Sequence, residues 1–229
     1  MNFSLVLARK NSKRLKNKNI KIFCGKPLIY WPINTLVKSK FFNKVFISTD
    51  SIKIKNLAEE FGAQNLGLRE KKLSNNFTDT ITVVKNFITK NKFKKKDILC
   101  CAYGSSPFFS IKDLKKAFSL IDKSTDFIFM AKEIQNECLR SFYINNKNNR
   151  SIKVTSKKFI NYRSQDLPKI FLDTGQFYLA SIETWIKAKN IFSKNSKFLI
   201  KNNYVDINTL SDFKKAERCF KNLKRVKNV

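Results

Sequence analysis

Residues 3–8 (FSLVLA) form an apolar run that passes abruptly into a basic loop over residues 9–19. The run does not alternate polar with apolar side chains and is too short to cross a bilayer, so it predicts a buried β-strand. Ligands of open α/β sheets bind beyond the carboxyl ends of the strands, and cations around backbone N–H groups suit phosphates. The loop therefore predicts a phosphate-binding segment, and its basic residues include Arg9, Lys13, Arg14, Lys16 and Lys18.

Apolar runs of strand length alternate with helical patterns along most of the chain. The predicted strands cover residues 3–8, 44–49, 97–103, 126–131, 175–180 and 197–205, and the predicted helices cover residues 27–38, 51–61, 78–91, 111–122, 182–188 and 210–223. Repeated β-α-β units predict an α/β fold, with a mainly parallel sheet covered by helices on both faces. At 229 residues the chain is long enough for one large domain, and a second independent core is not expected.

The segment over residues 132–168 interrupts this alternation. Two short strand-like pieces, residues 138–144 and 151–155, flank a polar turn at residues 145–149. The pattern predicts an excursion from the main sheet, and we expect it to serve subunit contact.

The charge balance is strongly basic, with 47 Lys+Arg against 17 Asp+Glu and a formal net charge of +30. Such a balance is typical of nucleic-acid-binding proteins. However, 39 of the basic residues are lysine and 8 are arginine, a bias that an AT-rich genome imposes on any protein surface. Arginine is the better bidentate ligand of phosphates and bases. We therefore expect the charge to attract small anions and do not expect a nucleic-acid partner.

The cysteine and histidine content excludes several chemistries. The five cysteines contain no Cys-x-x-Cys pair and the chain has no histidine, which argues against a zinc site and excludes catalysis by a histidine-based triad. An odd cysteine count without an export signal predicts a reducing, cytoplasmic location. No apolar run reaches membrane length, so no membrane partner is expected.

Polar residues follow four of the predicted strands, at residues 9–19, 48–50, 103–107 and 205–208. The carboxyl ends of parallel strands share one edge of a sheet, so these groups are expected to converge. They combine cations, hydroxyls and a carboxylate, which suits a nucleoside triphosphate with Mg²⁺. Asp206 and Asn208 by themselves form only a weak Asp-x-Asn metal pattern.

Each of these strand ends also has a plainer interpretation, and the basic loop is compatible with a solvated surface and Asp206 with a turn. We expect Asp50 to cap the helix that starts at residue 51 rather than to take part in catalysis. The Ser105-Ser106-Pro107 stretch is also compatible with a simple turn before the next helix. The chain contains five glycines. Its sequence has neither the Gly-x-Gly-x-x-Gly motif of Rossmann dinucleotide-binding domains nor the Walker phosphate-binding loop.

Several motifs resemble those of the CMP-sialic acid synthetase family, the cytidylyltransferases of nine-carbon acidic sugars. The motifs are residues 7–14 (LARKNSKR), 18–20 (KNI), 25–28 (GKPL), 47–50 (ISTD), 68–69 (LR) with Leu73, and 78–80 (TDT). Two further segments, residues 162–168 (YRSQDLP) and 173–178 (DTGQFY), are most similar to the pseudaminic acid branch of that family. The resemblance extends over essentially the whole chain.

The resemblance implies a Rossmann-like, GT-A-like nucleotidyltransferase fold in one cytidylyltransferase domain over residues 1–229. It implies a homodimer, with residues 132–168 as a dimerisation or sugar-site insertion. The implied reaction joins CTP to a nonulosonic acid, most similar to pseudaminic acid, and gives the CMP-sugar and pyrophosphate. Mg²⁺ is the implied cofactor.

The same resemblance implies roles for individual residues. The implied catalytic cations are Arg9, Lys13 and Lys18. The implied nucleotide ligands are Ala8, Arg9, Asn19, Arg69 and Thr80. The implied sugar ligands are Tyr103, Arg163, Gln165, Gln176 and Tyr178. The implied metal ligands are Asp206 and Asn208, although the family usually has a second aspartate at the position of Asn208.

Two alternatives remain open from the sequence. In the first, the acceptor is another acidic sugar, such as legionaminic acid, sialic acid or Kdo. In the second, the chain keeps the fold but has lost turnover, or binds RNA through its positive charge.

Overall fold

The structure is a computed structural model that describes residues 1–12, 14–75, 77–146 and 151–225. The strands are β1 (Asn2–Leu7), β2 (Ile22–Phe23), β3 (Lys26–Pro27), β4 (Lys44–Ser48), β5 (Gln64–Asn65), β6 (Ile98–Tyr103), β7 (Ile128–Ile134), β8 (Phe142–Asn146), β9 (Ser151–Val154), β10 (Ile170–Ser181) and β11 (Lys197–Ile200). Seven of them form a central sheet in the order β11-β7-β10-β6-β1-β4-β5. Strands β2 and β3 form one separate hairpin, and β8 and β9 form another.

The central sheet is mainly parallel, as predicted. Strand β1 pairs in parallel with β4 and β6, β4 with β5, and β7 with β11. Among the described strands of this sheet, β10 alone runs antiparallel, between β6 and β7. The chain leaves β7 at the carboxyl edge of the sheet and re-enters β10 at that same edge, so β10 must run in the opposite direction. Its first residues therefore lie where the other strands end.

The described residues form six α-helices, which are α1 (Tyr30–Ser39), α2 (Ile52–Glu60), α3 (Thr80–Thr89), α4 (Ile111–Ser119), α5 (Ile182–Lys187) and α6 (Leu210–Arg225). Helices α1, α2 and α4 bury their apolar sides in one cluster, and α3 and α5 bury theirs in a second cluster with different sheet residues. Side chains of one strand alternate between the two clusters, because successive residues of a strand point to opposite faces. The predicted helical cover on both faces is thus confirmed.

Helix α6 belongs to a third apolar cluster beside the carboxyl edge. Phe213 and Phe220 of α6 contact the Phe23 ring of the β2–β3 hairpin, with ring centroids 5.4 and 5.3 Å apart. The same cluster contains Leu15 of the basic loop and Ile207 of the loop that follows β11. The apolar stripe of α6 therefore holds together two loops that are far apart in the sequence.

Some predicted boundaries need correction. The helix predicted from residue 27 begins at Tyr30, because Lys26–Pro27 pairs with Ile22–Phe23 as a hairpin. Pro32 is then the third helical residue, where a backbone N–H has no intrahelical partner, so it is accommodated without a break. The strand predicted to reach residue 205 ends at Ile200, where its pairing with β7 stops.

The excursion also differs in detail from its prediction. A 3₁₀ helix, Asn136–Arg140, occupies the start of the first strand-like piece, and the hairpin strand begins only at Phe142.

The N-cap of α2 is Ser51 instead of Asp50, since the Ser51 hydroxyl accepts a hydrogen bond from the Ile54 N–H at 3.4 Å. Among the described residues, no helix is both long and apolar enough to span a bilayer.

Candidate active site

A cavity of about 600 Å³ opens at the carboxyl edge of the central sheet. It lies between the loop after β1, the start of α3, the end of β6, the first half of β10 and the loop after β11. The predicted site residues that line it are Arg9, Lys18, Asn19, Arg69, Thr80, Tyr103, Gln176, Asp206 and Asn208. Lys13, predicted as a catalytic cation, lies outside the described residues. The structure therefore gathers most of the predicted set into one cleft.

Lys18 connects the two sides of this cleft. Its Nζ donates a hydrogen bond to the main-chain oxygen of Ile207 at 2.8 Å. Burial lowers the pKa of Lys18, the Asp206 carboxylate opposes that shift, and Arg14 and Arg9 add to it. A partly desolvated ammonium group among other cations is suited to an anionic ligand, because a ligand phosphate replaces the lost hydration.

The basic loop is held in shape by hydrogen bonds from its neighbours. The Asp50 carboxylate accepts from the Lys10 N–H at 2.7 Å, and the Asn19 side-chain amide donates to the main-chain oxygen of Arg9 at 3.0 Å. The Arg9 guanidinium donates to the main-chain oxygen of Asn75 at 3.0 Å. Asp50 and Asn19 thus fix the backbone from which Arg9 projects into the cleft.

Gly104 allows the end of β6 to approach this loop closely. A Cβ atom at Gly104 would lie 3.0 Å from the Cβ of Ala8 and 3.2 Å from the side-chain oxygen of Asn19. Ala8 is buried beneath this contact and is not among the described residues that line the cavity. The nucleotide-binding role of Ala8 therefore stays a prediction.

Arg69, Thr80 and Tyr103 form the side of the cleft next to α3. The Arg69 N–H donates to the main-chain oxygen of Thr49 at 2.7 Å, which places the residue at the end of β4. Burial lowers the pKa of Arg69, and the Asp50 carboxylate opposes the shift. The Thr80 hydroxyl lies 2.5 Å from that of Tyr103, and burial raises the pKa of Tyr103 to about 12. Tyr103 thus remains protonated at neutral pH and acts there as a hydrogen-bonding group.

Gln176 is buried at the base of the cleft, with both ends of its amide engaged. Its oxygen accepts from the Phe108 N–H at 3.1 Å, and its nitrogen donates to the main-chain oxygen of Thr174 at 3.1 Å. These contacts fix the β6–α4 loop against β10. A direct contact of Gln176 with a sugar stays a prediction.

Asp173 also lines the cleft, although it is not among the predicted site residues. Its carboxylate accepts a hydrogen bond from the Tyr178 hydroxyl at 2.5 Å, and Tyr178 is buried behind it, outside the set of described residues that line the cavity. Convergence of polar groups was predicted from the carboxyl ends of strands, whereas Asp173 lies near the start of β10.

Arg163 and Gln165 lie on the exposed surface of the excursion. Arg163 immediately precedes the 3₁₀ turn Ser164–Asp166, and Gln165 lies within it. Arg140 holds this turn through a 2.8 Å hydrogen bond to the Ser164 hydroxyl. Neither is among the described residues that line the cavity, so the structure does not bring them to the cleft of their own chain.

Asp206 and Asn208 lie next to each other in the lining of the cleft. The Asn208 side-chain nitrogen donates to a carboxylate oxygen of Asp206 at 2.6 Å. Across the described ranges, no group of three or more His, Cys, Asp or Glu residues is placed to hold a metal ion. One carboxylate and one amide suit an ion that takes its remaining ligands from phosphates and water, as Mg²⁺ does.

Comparison with known proteins adds a family match. The profile of the cytidylyltransferase family matches residues 3–227. The chain is 33% identical to a pseudaminic acid cytidylyltransferase of Campylobacter jejuni subsp. jejuni serotype O:2, with 96% of both chains covered. It is 38% identical over 195 residues to a Helicobacter pylori protein named pseudaminic acid cytidylyltransferase and UDP-2,4-diacetamido-2,4,6-trideoxy-beta-L-altropyranose hydrolase. That match covers 84% of this chain but only 37% of the Helicobacter protein.

A solved structure supports the fold independently. The CMP:2-keto-3-deoxy-manno-octonic acid synthetase complexed with CTP superposes with a TM-score of 0.72, covering 96% of this chain and 98% of that one. Because the identity is only 12%, this likeness concerns the fold alone. It confirms the predicted Rossmann-like nucleotidyltransferase architecture.

Proposed function

Since the chain belongs to the cytidylyltransferase family and is therefore a nucleotidyltransferase, we propose that it joins CTP to a nonulosonic acid and releases pyrophosphate. Pseudaminic acid is the proposed acceptor, because the relatives that match over most of this chain carry that name. The proposal rests on the cleft at the carboxyl edge of the sheet, which is lined by Arg9, Lys18 and Asp206.

The cations of the cleft fit a reaction at the α-phosphorus of a nucleoside triphosphate. In this reaction a sugar hydroxyl loses its proton to water and its oxygen forms a bond to the α-phosphorus, while the bond from that phosphorus to the oxygen bridging to the β-phosphate breaks. Charge develops on the phosphate oxygens and on the departing pyrophosphate. Lys18 and Arg9 supply positive charge fixed in advance by the hydrogen bonds of the loop, so little reorganisation is needed during the reaction. Most of the rate enhancement should come from positioning and charge.

We propose that Asp206 and Asn208 hold a Mg²⁺ ion together with the phosphates. When bound, the ion would supply further neutralisation of phosphate charge. The hydrogen bond from Asn208 holds the Asp206 carboxylate in place, and Lys18 lines the same cleft and interacts with that carboxylate electrostatically. The chain provides a single formal negative charge in this pair, so the phosphates must contribute strongly to ion affinity.

We also propose a homodimer formed through the hairpin of β8 and β9. One face of the hairpin presents Phe142, Ile144 and Ile152, each more than half exposed. Apolar groups adjacent on one exposed face are typical of a protein interface. Arg163 and Gln165 are remote from the cleft of their own chain. In the proposed dimer they would bind the sugar in the cleft of the second copy.

The proposed location is the cytoplasm. The reaction consumes CTP, and Cys100, Cys101, Cys138 and Cys219 carry free thiols, which suits a reducing compartment.

Pyrophosphate release is the direct test of this function. The purified protein would be incubated with Mg²⁺ and with each of CTP, UTP, ATP and GTP, using pseudaminic acid as the acceptor. We expect release that depends on both CTP and the sugar, with a CMP-sugar as the second product. A panel of legionaminic acid, sialic acid and Kdo identifies a different acceptor. Absence of release with every sugar would refute the proposed activity, and salt-sensitive RNA binding that CTP does not compete would favour the RNA alternative.

A further inference from the structure

The first half of β10 forms an irregular wall of the cleft. Strand β10 pairs with β7 up to Asp173 and again from Tyr178, and the register shifts between these two residues. The shift leaves residues 174–177 as a bulge. Residues 172–176 all line the cleft, whereas a regular strand would present only alternate residues to it. The bulge therefore turns a continuous stretch of β10 toward the cavity.

Asp173 lies at the start of this bulge, and two hydrogen bonds fix its carboxylate in one orientation. One carboxylate oxygen accepts from the Gly175 N–H at 2.9 Å, and the other accepts from the Tyr178 hydroxyl at 2.5 Å. An ionised carboxylate has about four lone-pair sites and can only accept. These two donors therefore leave part of its accepting capacity for a ligand, and Asp173 lines the cleft. A ligand group that contacts Asp173 there must be a donor.

Apolar surface adjoins this carboxylate in the cleft. Leu172, the preceding residue, lines the cavity and has half of its surface exposed. Gly175 has a positive φ of 57°, and a Cβ atom built on it would lie 3.6 Å from the Tyr103 ring. Because glycine has no side chain, it leaves this part of the ring uncovered, and Tyr103 also lines the cleft. The acceptor group of Asp173 thus lies beside two apolar surfaces.

The acceptor sugar is the substrate that this wall can contact. The cations of the loop after β1 are proposed to hold the triphosphate, and Arg69 and Thr80 lie on the side predicted for the nucleoside. The β10 wall is left for the acceptor. An N-acylamino group combines an N–H donor with an apolar acyl chain, so it matches both Asp173 and its apolar neighbours. A hydroxyl would donate to the carboxylate but would leave the apolar surface in contact with water.

We infer that Asp173, with Leu172 and the Tyr103 ring, binds an N-acylamino group of the acceptor and so selects acylamino sugar acids over sugar acids that carry hydroxyl groups alone. The inference rests on the proposed function, since it assigns acceptor selection within the same cleft. Pseudaminic acid and sialic acid belong to the first class, and Kdo belongs to the second. Asp173 also repels the acceptor's own carboxylate, which directs that carboxylate toward the cations of the cleft.

Asp173→Asn separates this role from a structural one. Asparagine must place its only side-chain oxygen at the Gly175 N–H to keep that bond, and its NH₂ group then faces the Tyr178 hydroxyl, which can accept. A donor thus replaces an acceptor in the wall of the cleft. An acylamino N–H cannot accept from this donor, whereas a sugar hydroxyl can either donate or accept. The substitution should therefore weaken the binding of acylamino acceptors and have little effect on Kdo.

The experiment measures dissociation constants of pseudaminic acid and of Kdo by calorimetry. The full chain is first saturated with Mg²⁺ and α,β-methylene-CTP, an analogue that blocks the transfer. We expect the wild type to bind pseudaminic acid more tightly than Kdo. Asp173→Asn should lower this preference about tenfold, the effect of roughly one hydrogen bond, and leave the dissociation constant of the CTP analogue unchanged. Leu172→Ala should lower the preference about threefold, because the acyl chain loses part of its apolar contact.

The matched control is Asp126→Asn at the opposite edge of the sheet. The Asp126 carboxylate also accepts from a hydroxyl, that of Ser193 at 2.5 Å, and it lines a different cavity. This substitution removes the same charge and should leave the preference for pseudaminic acid intact.

A preference that keeps its wild-type value in both Asp173→Asn and Leu172→Ala would overturn the inference, and so would a wild type that binds Kdo as tightly as pseudaminic acid. Equal losses of affinity for both sugars in Asp173→Asn would also overturn it, because they would assign Asp173 to the structure of the bulge alone. Leu172→Ala, at a half-exposed position, tests the inference even where Asp173→Asn fails to fold. Failure of the wild type to release pyrophosphate with CTP and every sugar would instead count against the proposed function.

Discussion

Lys18 donates a hydrogen bond from its ammonium group to the main-chain oxygen of Ile207, 2.8 Å away. The bond joins the loop after β1 to the loop after β11, and the apolar cluster of α6 holds both loops from behind. Lys18 is therefore fixed at the point where a triphosphate would meet Asp206. Its charge is available to the phosphates without any rearrangement of the loop.

The lowered pKa of Lys18 predicts a pH dependence. Lys18 must be charged to hold phosphates, and burial lowers its pKa below the ordinary value of 10.5. The kcat/KM for CTP should therefore fall as pH rises through a value below 10.5, because kcat/KM reports the ionisation of the free enzyme. The Lys18→Arg variant keeps its positive charge at high pH, so the pH at which kcat/KM falls should be higher in this variant than in the wild type. A fall in kcat/KM at the same pH in the wild type and in Lys18→Arg would show that a group other than Lys18 titrates.

Arg9→Ala should greatly reduce turnover while the protein stays folded. We expect a loss in kcat/KM of about a hundredfold or more, since Arg9 supplies fixed charge to the phosphates. The matched control is Lys10→Ala, which removes a charge from the adjacent position of the same loop. Lys10 lines a neighbouring cavity instead of the main cleft. Equal activities of the two variants, with unchanged melting temperatures, would remove Arg9 from the phosphate site.

Ser4 offers a test of stability away from the cleft. It is fully buried in β1, and its hydroxyl is the buried side-chain polar atom without a hydrogen-bond partner in the described part of the chain. Ser4→Ala removes an unsatisfied polar group and should leave the free energy of unfolding unchanged or raise it by about 1 kcal/mol. Thr49→Val is the contrast, because the buried Thr49 hydroxyl accepts from the Ser51 N–H at 3.2 Å. It should lower stability by about 1 kcal/mol in urea unfolding; the reverse order of the two variants would contradict this account.

The exposed face of the β8–β9 hairpin predicts a dimer contact. Ile144→Asp puts a charge among apolar groups and should shift the protein toward monomer in light scattering coupled to size exclusion. Lys153→Glu also changes charge on the hairpin, but Lys153 pairs with Tyr143 on the other face and should leave the assembly intact. A wild-type monomer at micromolar concentration would remove the basis for this interface.

The strand pattern could be predicted because buried parallel strands appear as continuous apolar runs. The apolar runs at residues 97–103 and 44–49 predict in this way the strands observed at Ile98–Tyr103 and Lys44–Ser48. These features depend on local sequence alone. The convergence of the basic loop with Asp206 followed from the rule that parallel strands share a carboxyl edge.

The direction of β10 could not be predicted in the same way. It depends on the edge at which the chain returns after the excursion, and no local pattern encodes that choice. Asp173 was missed for this reason. The buried position of Gln176 was missed because its partners are the backbone groups of Phe108 and Thr174, and the first of these is remote in sequence. Polar motif residues can serve the fold as well as the ligand.

Asn208→Asp provides a test of the proposed Mg²⁺ site. The substitution replaces the amide that donates to Asp206 with a second carboxylate, and two adjacent carboxylates attract a divalent cation more strongly than one. The Mg²⁺ concentration for half-maximal activity should fall several-fold. Binding of Mn²⁺ to the nucleotide-free protein, followed by paramagnetic resonance, should tighten as well. Asn202→Asp, which adds the same charge to the same loop outside the cleft, controls for general electrostatics. Titrations that coincide for Asn208→Asp and the wild type would separate Asn208 from the metal, whereas equal tightening by both substitutions would assign the effect to overall charge.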